Sequence, residues 1–411
     1  MKVLFIVTAY PRHDRDVITP WMGETIARLQ KSGVEVEVLA PSYRGLATGI
    51  IDGVKVHRFR YAPASIEALT HDAPALDTIA RNPLYGALLP LYIVAGTSAA
   101  ARIAKKGNFD VVHAFWPIPH GVFAIAAKQA SNAALVSTFF SSELNWTGVT
   151  KKIFAPILKR IVESSDAVTV ISSFTEQRLR NYAPHTKTTI IPFGAAAASR
   201  ERASVSSVRT KSDPFELLFV GRLVRRKGVD VLLRAAKLLQ SDSRLHVRIV
   251  GGGPDKANLE REAHRLALGD RVTFEGVVDS ARVDVLFGEC DALVLPAIVT
   301  ETGETEGLGV VLIEAMGYGK PVIASAAGGI VDIVQDGKTG LLVAPGDESA
   351  LADAISRAMN EPEELALLAR AGTEFAETAF GWDAIVSDLK KVYESAIEHR
   401  TGAESRRHRV L

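Results

Sequence analysis

"FELLFVGRLVRRKGVDVLLRAAKLLQ", residues 215–240, begins as a short apolar run, breaks at Gly221, passes through a basic turn and resumes after Gly228 with apolar residues at helical spacing. That change of period predicts a strand followed by a helix. The same unit recurs downstream, where "LHVRIVG", "RVTFEG", "ALVLPA", "KPVIAS" and "TGLLVAPG" alternate with amphipathic stretches. The first half follows suit with "KVLFIVT", "VEVEVLA", "FDVVHAF", "ALVSTFF", "AVTVIS" and "TTIIPF". Strands alternating with helices imply parallel sheets covered on both faces. The expected class is therefore α/β, with two doubly wound, Rossmann-like domains facing a central cleft.

A chain of 411 residues with 47% hydrophobic content exceeds one ordinary core, so two domains are expected. The join is small, polar and aperiodic, "GAAAASRERASVSSVRTKSDP" over 194–214. The expected layout is a first domain over 1–196, a linker over 197–213 and a second domain over 214–380. A final helix near Trp382 to Glu398, within 381–411, is expected to pack back on the first domain. The closing "RTGAESRRHRVL" reads as a disordered tail or surface arm.

Lys and Arg total 48 against 47 Asp and Glu, which argues against a dedicated nucleic-acid binder. The balance hides an asymmetry. Residues 1–196 hold 21 basic against 14 acidic side chains, leaving 27 against 33 in the remainder, so the first half favours anionic surfaces or substrates. The single cysteine, Cys290, excludes intrachain disulfides and fits a reducing cytoplasm. The opening "MKVLFIVTAYPRHD" reads as a core strand, not a signal peptide, so no secretion is expected. "NPLYGALLPLYIVAGTSAAA" (82–101) carries Pro90 and many small residues and predicts a packed helix in preference to a span.

In such folds ligands sit on strand-exit loops, and the unusual residues fall there. Gly221 ends a strand, Arg222 and Lys227 follow, and Gly228 opens a helix. A guanidinium and an ammonium beside a helix N-terminus suit phosphates. "VGGGPD" (250–255) would let a ligand approach the backbone, yet Lys256 takes the place of the third glycine in a dinucleotide fingerprint. "ETEGLGVVLIEAMGYG" (304–319) sets Glu306 and Glu314 at the ends of a glycine-flanked apolar run. With a short buried helix over 308–319 and Glu306 at its start, eight helical residues separate the two carboxylates by roughly 12 Å of rise. Glycosidase pairs sit about 5 to 9.5 Å apart, so the spacing fits two ends of one ligand better than a hydrolytic acid and base. Glu306 can accept sugar hydroxyls, Glu314 ribose hydroxyls, and the amides of Gly307, Leu308 and Gly309 a diphosphate.

From "LLFVGRLVRRKG" through "GGGP", "VTFEG", "CDALVLPA", "EGLGVVLIEAMGYGKPVIAS" and "GGIVDIVQDGKTGLLVAPGD", the chain resembles the retaining glycosyltransferases of family 4. The resemblance covers essentially the whole chain and implies the GT-B fold. It implies a sugar moved from a nucleotide diphosphate sugar to a glycan or lipid-linked acceptor, in polysaccharide or glycolipid synthesis. Arg222 and Lys227 would then neutralise the diphosphate, Glu306 hold the transferred sugar and Glu314 the ribose. Retention in the family is commonly explained by front-face attack, a donor phosphate oxygen taking the acceptor's proton. Positive charge on the leaving diphosphate replaces a metal, so no cofactor or required metal is expected. Asp14 and Asp16 have the spacing of the metal motif of the other glycosyltransferase fold but lack its context, and no metal site is expected there.

The acceptor side departs from the family. Where a Thr, His, Gly, Ser, Asp pattern is usual, "STFFSSEL" puts Phe140 at the His, Ser141 at the Gly and Glu143 at the Asp. A phenyl ring donates no such hydrogen bond, so Ser141, Ser142 or Glu143 would have to compensate. "TPWMG" (19–23) replaces a glycine pair, leaving Gly23 as the nearest acceptor-side phosphate contact, and Phe193 stands where an Asn is usual. Tyr10, Arg12, Trp21 and Trp116 fall on strand exits where an aromatic face could stack on a sugar or lipid head group. His113 is expected to end a strand facing the cleft; His113 and His120 lack zinc-like partners. The helix "TKKIFAPILKRIVESS" (150–165) would suit peripheral contact with an anionic membrane at the inner face of the cytoplasm. Two rivals remain: a donor-binding pseudoenzyme or assembly subunit, motivated by Phe140, and a sugar-nucleotide epimerase, which lacks evident acid and base residues.

Overall fold

The structure, a computed structural model, describes every residue except 15, 17, 73–74, 146–147, 195–209 and 409–411. It divides into two compact units. The first comprises Met1–Ile171, Thr175–Ile191 and Ile385–Leu411; the second Ser172–Phe174 and Pro192–Ala384. Most of the expected linker, 197–209, lies outside the described residues.

The first unit opens with β1 (Lys2–Ile6), α1 (Pro20–Lys31), β2 (Glu35–Pro41), β3 (Gly49–Ile51), β4 (Val54–Phe59), α2 (Ala75–Arg81) and α3 (Leu88–Gly107). It continues with β5 (Val111–Phe115), α4 (Pro117–Ala130), β6 (Ala134–Phe139), α5 (Gly148–Ser164), β7 (Ala167–Val170), α6 (Ser173–Arg180) and β8 (Thr189–Ile190). Eight strands form one sheet in the order β3-β4-β2-β1-β5-β6-β7-β8. All pairs are parallel except β3 with β4. Branched and aromatic residues fill both faces, as a covered parallel sheet requires: Leu4, Ile6, Val112 and Leu135 are fully buried on one, Val3, Phe5, Val111 and Val136 on the other. The β3–β4 hairpin was not legible as strands, because Gly49–Ile51 is short and exposed at the edge.

Helix α3 takes up most of the apolar run of 82–101 and continues beyond it to Gly107. The segment Pro83–Gly107 is long and apolar enough to cross a bilayer by length and composition, with a mean hydropathy of 1.5. Here one face covers the sheet. A Cβ on Gly96 would come within 2.3 Å of the Phe123 ring of α4, so the glycine permits the close helix approach.

The second unit carries β9 (Phe215–Val220), α7 (Val229–Leu238), β10 (Leu245–Val250), α8 (Lys256–Arg265), β11 (Val272–Gly276), α9 (Ser280–Glu289) and β12 (Ala292–Leu295). It continues with α10 (Val310–Gly317), β13 (Val322–Ser325), β14 (Leu341–Val343), α11 (Glu348–Asn360) and α12 (Pro362–Ala379). Its six parallel strands run β11-β10-β9-β12-β13-β14. In each sheet the strand order reverses beside the first strand, between β1 and β5 and between β9 and β12. These are the switch points where doubly wound sheets bind ligands.

The last helix, α13 (Trp382–His408), starts in the second unit and ends in the first. It runs well past Glu398, so the expected tail is mostly helical; only 409–411 fall outside the described residues. Its Tyr393 ring is fully buried in the first unit, 2.9 Å from His113 Nδ1.

Candidate functional site

In the second unit the basic turn after β9 is pressed against the exit of its neighbour β12. Gly228, the N-cap of α7, has φ 67°. A Cβ there would meet the Pro296 carbonyl oxygen at 1.9 Å, so both conformation and space demand glycine. The Ile298 amide donates to the Arg226 carbonyl at 2.9 Å. Arg225, Arg226 and Lys227 form a single 3₁₀ turn that fans their side chains apart. Arg225 goes to Asp230 at 2.7 Å, whereas Arg226 and Lys227 go to Glu306. Arg222 is exposed.

Glu306 is the centre of this site. Lys227 Nζ lies 2.5 Å and Arg226 Nη1 2.8 Å from the same carboxylate oxygen. Its side chain is only 12% exposed. Burial pushes the Glu306 pKa up, but Lys227 and then Arg226 outweigh it and hold the carboxyl below its usual range. Arg226 was not singled out from sequence, since nothing in "RRK" separates it from Arg225 until the 3₁₀ turn sets their directions.

The helix boundary corrects one expectation. α10 begins at Val310 with Gly309 as N-cap at φ 97°, so Glu306 sits on the loop before the helix and the 12 Å separation does not apply. Residues 306–309 are fixed from behind. The Gly329 amide donates to the Glu306 carbonyl at 3.0 Å, and Ser172 Oγ to the Gly307 carbonyl at 2.7 Å. Cβ atoms on Gly328 and Gly329 would strike those same two carbonyls at 1.9 and 2.2 Å. Among the described residues the amides of Gly307, Leu308 and Gly309 donate to no protein acceptor. The Leu308 side chain is buried, and Glu314 lies half-buried in the second turn of α10.

The triple glycine after β10 has a different role from the expected one. Cβ atoms on Gly251 and Gly253 would meet the carbonyl oxygens of Gly221 and Leu223 at 1.9 and 2.2 Å. The Leu223 amide bonds the Gly252 carbonyl at 2.8 Å. These glycines let two loops lie backbone to backbone, instead of opening room for a ligand.

In the first unit several acceptor-side candidates prove to be interior. His113 lies inside β5, 1% exposed, and is bonded by Thr138 at 2.6 Å and Tyr393 at 2.9 Å. Burial lowers its pKa to about 3, so it is a neutral core residue and not a ligand contact. His120 is likewise buried, 3.0 Å from the Tyr92 hydroxyl. Tyr10 is 2% exposed, its phenol pushed up to about 12 by burial. Arg12 closes on Asp16, whose side chain is 3% exposed, and Asp14 accepts from the Asp52 amide. Both carboxylates of the supposed metal triplet are thus engaged. Among the described residues no group of three or more His, Cys, Asp or Glu gathers as for a metal. Gly23 lies within α1, past the first-turn amides that a helix leaves open.

Other candidates remain at the strand exits. Trp21 and Trp116 are half-buried, whereas Phe140, Ser141 and Glu143 are buried. Glu143 accepts from the Phe140 amide at 2.7 Å and from Ser142 Oγ at 3.2 Å. Burial pushes its carboxyl up to about 7 despite those bonds.

Comparison with known proteins fits this geometry. A family model described as Glycosyltransferase Family 4 matches residues 21–197, and one described as Glycosyl transferases group 1 matches 201–375. A GDP-mannose-dependent alpha-(1-6)-phosphatidylinositol monomannoside mannosyltransferase of Mycobacterium tuberculosis is 26% identical, over 94% of this chain and 97% of its own. A D-inositol 3-phosphate glycosyltransferase of Catenulispora acidiphila is 27% identical, over 92% and 90%. Among solved structures, a sucrose-phosphate synthase from Thermosynechococcus elongatus superposes with a TM-score of 0.74 at 24% identity, over 96% of this chain and 98% of the other. Anabaena HepE in complex with UDP gives 0.71 at 20% identity, over 96% and 100%. Matched over nearly its full length by the two models in succession, and carrying two switch-point sheets with a clamped glutamate in the second, the chain belongs to glycosyltransferase family 4 and is a nucleotide-sugar glycosyltransferase of the GT-B fold.

Proposed function

We propose that the protein transfers a sugar, with retention, from a nucleoside diphosphate sugar to a glycan or lipid-linked acceptor in polysaccharide or glycolipid synthesis. The observation that carries this reading is Glu306, held by Lys227 and Arg226 at the switch point of the second sheet beside three open amides. An arriving diphosphate competes for Lys227 and engages Arg222 and the amides of Gly307, Leu308 and Gly309. Glu306, freed from part of its clamp, accepts hydroxyls of the transferred sugar, and Glu314 those of the ribose. As the glycosidic bond to the donor phosphate breaks, charge grows on the diphosphate, and these fixed cations and dipoles stabilise it without a metal. The acceptor oxygen bonds to the anomeric carbon and its proton passes to a donor phosphate oxygen.

Relatives named for GDP-mannose, phosphatidylinositol and inositol phosphate support a lipid-linked or polyol acceptor and make GDP the first base to test. Peripheral contact with an anionic membrane at the cytoplasmic face is supported by α5, whose Lys151, Lys152, Lys159 and Arg160 are exposed beside Ile153. The outer side of α3 and its approach adds exposed Leu84, Leu91 and Val94. Phe140 favours a second reading, a donor-binding subunit without turnover, because its buried ring offers no hydrogen bond.

The test is a thermal-shift panel of UDP, GDP and ADP with their sugar conjugates, in EDTA. Ligand at about 100 times its dissociation constant adds roughly 2.7 kcal/mol, a visible shift. Selective stabilisation by one base supports the donor assignment. No shift with any of them defeats it, and a shift without transfer to any acceptor leaves the binding-subunit reading standing.

A further inference from the structure

The first unit's switch point carries rings where the second carries charges. Four aromatic side chains meet at the carboxyl ends of three neighbouring strands: Trp21 at the start of α1 after β1, Phe115 and Trp116 at the exit of β5, and Phe140 at the exit of β6. Trp116 and Phe140 stack at 4.3 Å between centroids with planes 21° apart. Trp21 closes on both, 5.9 Å from Trp116 and 5.7 Å from Phe140. Phe115 joins this group to the core through Phe5 at 4.7 Å and His113 at 4.0 Å. The order from inside to outside is graded: Phe115 and Phe140 are 4% and 7% exposed, whereas Trp21 and Trp116 are only half-buried.

The backbone that presents these rings holds three of the six non-glycine residues with positive φ among the described residues of the first unit. Thr19, Trp116 and Ser141 take φ of 49°, 48° and 84°, a left-handed region that non-glycine residues seldom occupy. Each stands at one of the same three exits, and such strain clusters where a surface is held ready for a ligand. Thr19 Oγ1, two residues before Trp21, is buried with no hydrogen-bond partner among the described residues. Neither Thr19 nor Trp116 caps its helix with a side-chain hydrogen bond.

We propose that Trp116 and Trp21, with Phe140 stacked beneath Trp116, form an aromatic shelf that binds the acceptor through the C–H face of a pyranose or cyclitol ring. The proposal rests on reading the first unit as the acceptor side of a glycosyltransferase. Indole faces bind such rings by apolar contact with their axial hydrogens, leaving the hydroxyls at the ring edge for polar partners. Phe140 then supports a specificity surface in place of contacting the reacting atoms. Its ring is the floor on which Trp116 rests, and the Glu143 bond to the Phe140 amide keeps that floor in register. Phe140 and Glu143 are on this account positioning residues, and Trp116 and Trp21 the ligand-contacting ones.

The experiment uses the full chain and saturation-transfer difference NMR with three probes: methyl α-D-mannopyranoside, methyl α-D-glucopyranoside and myo-inositol. At least one should receive saturation chiefly at the ring hydrogens of one face. Trp116→Ala should weaken that binding by about tenfold or more, a loss on the scale of aromatic contacts. Trp116→Phe, which keeps a stacking ring, should retain it within a few-fold, and Phe140→Leu should fall between. The nucleotide thermal shift, measured on the same samples, reports the second unit and should be unchanged in all three. Saturation that is equal in wild type, Trp116→Ala and Trp21→Ala overturns the shelf, as does the absence of saturation on every probe while nucleotides still bind. Absence of both sugar and nucleotide binding in the wild type overturns instead the glycosyltransferase reading beneath it. Should Trp116→Ala fail to fold, loss of binding in Trp116→Phe as well would count against stacking.

Discussion

The two sheets place their sites by the same rule and fill them with opposite chemistry. At the β9/β12 switch point one carboxylate is held by two cations beside unoccupied amides; at the β1/β5 switch point stacked rings rest on a neutral core histidine. The first arrangement suits a charged diphosphate and a polar sugar edge, the second a ring with an apolar face. On the proposed reading, similar topology carries two surfaces suited to different parts of a substrate pair.

The comparison breaks most decisively at Glu306. Glu306→Ala should reduce transfer by two to three orders of magnitude, the scale of losing a group that acts on the transition state, while nucleotide-induced thermal shifts persist. Turnover within tenfold of wild type would mean that the clamp is structural only.

The next largest effect is expected on the aromatic side, at Glu143. Its carboxyl titrates near 7 in the fold, above the 4.5 of an ordinary glutamate, because burial disfavours the charged form. Between those two pH values the unfolded chain has released the proton and the folded chain has kept it. Stability therefore falls as pH rises through that window and levels off above it, by about 3 kcal/mol. Glu143→Gln, which retains an acceptor for the Phe140 amide, should flatten this part of the melting-temperature profile. A profile unchanged by the substitution would show that the carboxyl is not the titrating group.

Arg222→Ala should weaken nucleotide binding about tenfold, since an exposed guanidinium gains its full value only when it meets the diphosphate. Titration calorimetry with the selected nucleotide measures this, and an unaltered affinity would pass the role to Arg226 and Lys227. The smallest effect concerns α5. Lys151→Glu and Lys152→Glu should each lower sedimentation with phosphatidylserine vesicles about fivefold at low salt, near 1 kcal/mol per basic residue, without altering nucleotide binding. Equal sedimentation of wild type and double variant would remove α5 from the membrane-contact reading.

Much of the second site was legible because charge and glycine punctuate a sequence. Gly221, Lys227, Gly228, Glu306 and Gly309 lie where strand exits and helix starts put them, and the parallel sheets follow from the alternation of periods. What escaped were facts of direction. The 3₁₀ turn that sends Arg226 to Glu306 and Arg225 to Asp230 has no signature in three consecutive basic residues. The helix expected from Leu308 begins at Val310, because Gly309 is its N-cap at positive φ. On the other side, His113 and Tyr10 have the composition of ligand contacts and the burial of core residues. For His113 the difference is made by α13, since a Tyr 280 residues away along the chain satisfies it. The four-ring cluster is invisible for the same reason: Trp21 and Phe140 meet Phe115 and Trp116 across strands, not along the chain.

That bond between His113 and Tyr393 has a further consequence for how the protein is made. The strands of the first unit precede the second unit, yet a fully buried part of the first unit's core arrives with α13, after it. A ribosome adding about 5–20 residues per second would leave the first sheet without this covering for some tens of seconds after β8 has emerged. The second unit, whose segments end at Ala384, has all its residues before the first does. The domain synthesised first is therefore the one finished last, and a fragment ending before α13 would expose the apolar surface that Tyr393 and its neighbours cover.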